Sequence, residues 1–289
     1  MKIRDNTIRS AANYFSKELN NLYPESELQQ LLHLTFLHYF GCSKIDFITN
    51  EKKLLSESDL LKIIYAVKGL KKKKPLAYIL GAWEFYGISL KVNEHTLIPR
   101  PETEELVQLI INENKHQKSI KILDIGTGSG CIALALKKHL PNANVSAWDI
   151  SEEALKIASE NAVKNSLAIS FNQVDILRYK VTNFSEKYDV IVSNPPYVTI
   201  DEKSLMQENV LNYEPHLALF VENNNPLLFY NAIADFALKH LTTNGKLYFE
   251  INEKQGKEVK ELIFSKGFCN TEIVEDINGK ERMIKCSLK

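Results

Sequence analysis

Two short clusters in this sequence combine residue types able to do chemistry. In Asp124-Ile125-Gly126-Thr127-Gly128-Ser129-Gly130, glycines alternate directly behind a short apolar run. A backbone without Cβ atoms there turns sharply and lets a ligand approach closely. A helix that starts behind the turn offers free N–H groups. Asp149 ends the next apolar run, where a carboxylate is placed to accept hydrogen bonds from ribose hydroxyls. The second cluster is Asn194-Pro195-Pro196-Tyr197. Its prolines fix φ and restrict the residues before them, so the segment is rigid before any ligand arrives. The Asn194 side-chain oxygen and the Pro195 backbone carbonyl are two acceptors for the two hydrogens of a planar –NH₂ group. Tyr197 adds an aromatic face that stacks on a planar target and attracts a cation.

Spacing narrows the ligand of the glycine loop. Dinucleotide sites use G-x-G-x-x-G, with pyrophosphate at the helix start. Here the pattern is G-x-G-x-G behind an acidic residue, which resembles the cofactor loop of S-adenosylmethionine methyltransferases, whose ligand has no phosphate to cradle. With such a donor, Asn-Pro-Pro-Tyr suits methyl transfer to a conjugated amine or amide. That nitrogen is a poor nucleophile because its lone pair is delocalised. Two acceptors would orient it, raise its electron density and stabilise the positive charge that develops. No strong general base is needed, and none is obvious.

The elements that must carry these clusters follow from periodicity. Ile8, Ala11, Ala12, Phe15 and Leu19 recur at helical spacing, with Pro24 beyond. Leu28, Leu31, Leu32, Phe36 and Tyr39 form a second stripe stopped near Gly41. Ser56 with Asp59 starts a third, carrying Leu60, Ile63, Ile64 and Val67. From Pro75 to about Val92 the pattern changes: Trp83 to Ile88, followed by Leu90 and Val92, predicts short strands around a glycine turn, a hairpin joining two domains. Beyond residue 118 strands alternate with helices: strands are expected at 120–125, 145–150, 169–174, 190–193 and 246–251. Ser151 caps a helix whose first turn carries Glu152 and Glu153. This rhythm implies a parallel, doubly wound α/β sheet, in which ligands bind beyond the carboxyl ends of the strands.

Composition sets wider bounds. At 289 residues the chain is long enough for two domains. Lys plus Arg equals Asp plus Glu at 36 each, so the overall basic excess common in nucleic-acid binders is missing. The dense basic run Lys71-Lys72-Lys73-Lys74 reads either as a solvated loop or as a docking patch for an acidic or RNA-bound partner. No apolar run approaches membrane-spanning length, and no signal-peptide core follows Met1. Cys42, Cys131, Cys269 and Cys286 have neither metal-ligand nor disulfide spacing. A soluble cytoplasmic protein without a metal is expected.

Longer segments carry a closer resemblance. Leu97-Ile98-Pro99-Arg100-Pro101-Glu102-Thr103-Glu104-Glu105-Leu106-Val107 resembles a signature of HemK-type protein glutamine methyltransferases. So do Pro75 to Gly81 followed by Phe85-Tyr86-Gly87, Asp124 to Gly130, Ser193 to Tyr197, Glu214-Pro215, and Asp276 to Arg282. The resemblance implies a helical substrate-recognition domain over residues 1–80, a hairpin linker over 81–95, and a Rossmann-like, seven-stranded S-adenosylmethionine methyltransferase domain over 96–289. It implies methylation of the glutamine of the Gly-Gly-Gln motif in class-1 peptide chain release factors by a monomer, with S-adenosylhomocysteine as product and no direct nucleic-acid or membrane contact. Gly126, Thr127, Gly128, Ser129, Gly130 and Asp149 would hold the cofactor, with Asp175 and Ile176 at its adenine and Asn194 near both ligands. Asn194, Pro195, Pro196 and Tyr197 would bind the glutamine amide, with Asn194, Pro195 and Tyr197 carrying the catalysis. Arg100, Glu102 and Thr103 match the signature without a chemical role. The chain departs from the family after Leu219, where Phe220-Val221-Glu222-Asn223-Asn224-Asn225 replaces glycine-rich pairs; asparagines tolerate left-handed turns, so an altered loop is expected. Three other readings use the same motifs: a DNA adenine methyltransferase, a ribosomal-protein glutamine methyltransferase, and a non-enzymatic binding protein on the same fold.

Overall fold

The computed structural model describes residues 3, 5–179 and 185–288. The chain divides into two units: residues 1–81 together with 207–213, and residues 82–206 together with 214–289.

The first unit is helical. Helices α1 (Ile8–Leu19), α2 (Glu25–Phe40), α3 (Asp46–Thr49), α4 (Glu57–Lys71) and α5 (Leu76–Leu80) are followed, far along the chain, by α9 (Glu208–Tyr213). Thr7 and Ser56 cap α1 and α4 through their hydroxyls, and Gly41 ends α2 with φ at 64°. The three stripes read from sequence meet in one core containing Phe15, Leu19, Leu28, Phe36, Ile63 and Leu70. The lysine run is partly used inside this unit. Lys71 pairs with Glu18, Lys73 donates to the Leu22 carbonyl and lies over the Tyr23 ring, and the Lys72 carbonyl accepts from the Tyr213 hydroxyl of α9 at 2.7 Å. Residues 76–80 form helix α5 between Pro75 and Gly81, the latter left-handed at φ 66°.

The second unit opens with the hairpin β1 (Ala82–Phe85) and β2 (Ile88–Lys91), then α6 (Pro101–Asn114), β3 (Lys121–Ile125), α7 (Cys131–His139), β4 (Asn144–Asp149), α8 (Glu152–Lys164), β5 (Ser170–Gln173) and β6 (Tyr188–Ser193). The two-residue strands β7 (Val198–Thr199) and β8 (Phe220–Val221) pair with each other. Helix α10 (Leu228–His240), β9 (Leu241–Glu250), α11 (Gly256–Ser265), β10 (Cys269–Glu275) and β11 (Glu281–Ser287) complete it. The hairpin is held on α8, where Asn161 accepts from the Lys91 N–H at 2.6 Å and donates back to its carbonyl at 3.0 Å.

Seven strands form one sheet in the order β10-β11-β9-β6-β3-β4-β5. The five strands from β9 to β5 are parallel, whereas β11 runs antiparallel to β9 and β10 antiparallel to β11. The expectation of a parallel sheet therefore fails at one edge. The last two strands follow each other through a turn at Asp276–Gly279 rather than through a helix, so they must reverse direction. Central strands β3 and β6 are mostly apolar, with Ile122, Leu123, Val190, Ile191 and Val192 buried, as a sheet covered on both faces requires. The residues after Leu219 form the short strand β8 and then a turn. No asparagine among 223–225 takes a left-handed conformation. The turn closes by an Asn225 N–H to Glu222 carbonyl bond, and the Asn223 side chain accepts from the Asp201 N–H at 3.0 Å.

Candidate active site

Strand β3 has β4 on one side and β6 on the other, so chain direction across the sheet switches between β3 and β6. Ligands of open α/β sheets bind in the crevice such a switch leaves. Ile125 and Ser193 are in register, which brings the glycine loop and the Asn194 turn out of the sheet side by side.

The loop is built as its glycines require. Gly126, Gly128 and Gly130 have φ of 76°, 54° and 82°, values that cost an L-residue with a Cβ about 1–2 kcal/mol. The N–H groups of Gly126 and Thr127 donate to the Trp148 carbonyl at 2.8 and 2.9 Å. Gly128 N–H donates to Asp149 Oδ2 at 2.8 Å, and Ser151 N–H to Asp149 Oδ1 at 2.9 Å. The Asp149 carboxyl is thus fixed at the end of β4, and burial raises its pKa although these N–H groups oppose the shift. Beneath the loop Asp124 is fully buried, accepts from the Thr127 hydroxyl at 2.6 Å, and is pushed up to about 7 by desolvation.

A cavity of about 260 Å³ lies over these groups. Gly126, Gly128, Asp149, Asp175, Ile176, Asn194, Pro195 and Pro196, all expected at the site, line it. Thr127, Ser129 and Gly130 do not: the first two are buried under the loop, and Gly130 packs against α7 and α8. Leu97, Leu217, Phe229 and Ile233 make part of the wall apolar, while Glu94 adds a carboxylate to those of Asp149 and Asp175. No Lys or Arg is among the described residues lining this cavity. Its lining joins an apolar wall to three carboxylates and offers no cation to neutralise phosphates.

A smaller cavity of about 50 Å³ shares Leu97, Asn194, Pro195 and Ala218 with the larger one. Its other walls include Arg100, Tyr197 and Glu250. Behind it lies a buried network. Glu250 Oε2 accepts from the Thr103 hydroxyl at 2.6 Å, and Oε1 accepts from the Tyr197 hydroxyl at 3.2 Å. Asn194 Nδ2 donates to Thr103 Oγ1 at 3.3 Å. Desolvation raises the pKa of Glu250, which the Thr103 and Tyr197 hydroxyls and the Arg282 charge oppose. Tyr197 is also raised, first by burial and then by the Glu250 charge. Arg100 pairs with the buried Glu214 at 2.6 Å, whose second oxygen accepts from the Ile98 N–H at 3.2 Å.

Glu250 stands in the sequence only as part of the strand expected at 246–251. An acid inside the apolar run Leu247-Tyr248-Phe249-Glu250-Ile251 was the available signal. Thr103 and Arg100 stood in a recognised signature, and their partners Glu250 and Glu214 lie 147 and 114 residues away.

Comparisons with known proteins bear on identity. Residues 102–217 match the methyltransferase small domain and residues 10–81 the PrmC N-terminal domain. The chain is 45% identical over 285 residues to the release factor glutamine methyltransferase of Flavobacterium psychrophilum, covering 98% of this chain and 99% of that one. Its counterpart from Bacteroides thetaiotaomicron is 41% identical, over 94% and 96% of the two chains. Among solved structures, a methyltransferase from Pyrococcus furiosus superposes with a TM-score of 0.51 at 19% identity, over 81% of this chain and 99% of that one. That likeness reaches only the fold; the relatives go further, and on their identity and coverage this chain belongs to the family of release factor glutamine methyltransferases.

Proposed function

We propose that the protein transfers a methyl group from S-adenosylmethionine to the side-chain amide nitrogen of the glutamine in the Gly-Gly-Gln motif of class-1 peptide chain release factors. The observation that carries this reading is the pair of cavities that share Asn194 and Pro195. One has the size and lining for the methyl donor, and the other is a small, partly polar chamber for a side-chain end. The larger cavity fits S-adenosylmethionine: Asp149 would hold the ribose hydroxyls, Asp175 and Ile176 the adenine, and the surrounding carboxylates complement a sulfonium. Bound there, the donor supplies an electrophilic methyl and leaves as S-adenosylhomocysteine.

Residues of the chain do the remaining work. The Asn194 oxygen and the Pro195 carbonyl accept the two N–H bonds of the glutamine amide, which aligns its nitrogen and stabilises positive charge as the N–C bond forms, until the methylated nitrogen gives up one hydrogen as a proton to water. Tyr197, anchored on Glu250, covers the amide plane. The helical unit selects the release factor, and the single chain is the working unit, with neither metal nor nucleic acid taking part. The test is transfer of labelled methyl to a purified release factor, beside its Gln→Ala variant at Gly-Gly-Gln, a ribosomal protein and duplex DNA. Label on the wild-type factor alone is expected. Label on DNA or the ribosomal protein instead would overturn the assignment.

A further inference from the structure

Asn194 accepts from a substrate –NH₂ group only if its amide oxygen, and not its nitrogen, faces that group. Buried hydrogen bonds behind the Asn-Pro-Pro-Tyr turn decide between the two orientations. Glu250 is 1% exposed, and as a carboxylate it can only accept. Thr103, 2% exposed, points its single hydroxyl hydrogen at Glu250 Oε2 at 2.6 Å. Toward Asn194 the Thr103 oxygen has only lone pairs left, so the group it meets at 3.3 Å must be the Asn194 nitrogen. The amide oxygen is then the end free for the cavities that Asn194 lines.

We propose that Thr103 and Glu250 are positioning residues for methyl transfer: the buried carboxylate orders the Thr103 hydroxyl, which locks the Asn194 amide with its oxygen toward the acceptor nitrogen. This rests on the reading of Asn194 as the acceptor for the substrate amide. An Asn194 turned the other way would set donor against donor and leave a buried oxygen unpaired. The same carboxylate also holds the Tyr197 hydroxyl at 3.2 Å. One residue on β9 therefore sets both the amide and the ring of a motif in the turn that follows the neighbouring strand β6. Thr103 lines neither cavity, so its influence passes through Asn194.

The experiment compares the wild type with Thr103→Val and Thr103→Ser. It measures kcat and KM for the release factor, cofactor affinity by calorimetry, and the ¹⁵N resonance of the Asn194 side chain, assigned from its loss in Asn194→Ala. Thr103→Val should lower kcat roughly 100-fold, the scale of a misplaced reacting geometry, with KM and cofactor affinity little changed. Thr103→Ser, which keeps the hydroxyl, should restore most of the rate. One Asn194 amide proton should be protected from exchange in the wild type and in Thr103→Ser, and lose protection in Thr103→Val. A valine variant with wild-type kcat overturns the proposal, and so does equal loss in valine and serine variants, which would mark a packing role. Were the valine variant unfolded, fast exchange of both Asn194 amide protons in the wild type would overturn it alone. A wild type that labels no release factor but shows the protected, Thr103-dependent amide would remove the proposed substrate and leave the positioning role standing.

Discussion

Asn194 and Asp149 leave the sheet from β6 and β4 on either side of β3, and in the proposed reaction they serve different ligands. Their alanine variants should therefore separate. Asn194→Ala should cost roughly 10²–10³ in kcat, as loss of a preorganised polar group does, with cofactor affinity nearly intact. Asp149→Ala should weaken cofactor binding by roughly 10- to 100-fold, from lost hydrogen bonds to a charged group. Calorimetry beside labelled methyl transfer checks both, and coincident losses would count against the division of roles. Asp124 makes a prediction in pH. Its carboxyl is buried and titrates near 7, above the ordinary 3.8. A carboxyl with a raised folded pKa contributes stability that is present below about pH 4 and lost as pH rises through about 7. The thermal midpoint of the wild type should fall between about pH 4 and 7, and Asp124→Asn, which still accepts from Thr127, should flatten that fall. Parallel profiles would rule the contribution out. The glycine loop, Asp149 and Asn194 were legible from sequence because each sits in a contiguous run whose backbone demands are local. Glu250 was not, because its meaning lies in a hydroxyl on another element.

At the scale of elements, the site depends on how α7 leaves the glycine loop. A Cβ at Gly130 would meet Leu134 Cδ1 at 3.0 Å and Ala158 Cβ at 3.1 Å, in a residue whose φ is 82°. Gly130→Ala should therefore destabilise the protein by about 1–3 kcal/mol, from left-handed backbone strain plus crowding against α8. Urea denaturation reads this directly, and an unchanged midpoint would show that α7 shifts without cost. Helix starts at Ser56 and Ser151 were readable because a capping hydroxyl is a local signal, and each accepts from an N–H three residues on. The β10–β11 edge was not: Cys269–Glu275 alternates poorly and is largely exposed. Such an edge strand is specified by its pairing with β11 more than by its own pattern.

At the scale of the whole molecule, the helical unit is assembled from two stretches of chain. Helix α9 begins at Glu208, eleven positions past Tyr197, belongs with the helical unit, and gives way at Glu214 to the residue that grips Arg100. Sequence could place the first 80 residues together because their stripes are contiguous, but the six residues of α9 are too short to show a periodicity of their own. A chimaera carrying residues 1–81 of the Flavobacterium psychrophilum relative should melt lower than one that also exchanges 207–213, with the difference seen in the helical signal by circular dichroism. Equal midpoints would make α9 dispensable to its unit. The two family matches divide the chain differently, since the segment matched to the methyltransferase small domain, 102–217, contains α9. A lineage exchanging its helical unit therefore cannot do so by recombining at a single junction. The two stretches must be co-inherited, so the helical unit should drift along with the catalytic gene segment and not be traded as a cassette.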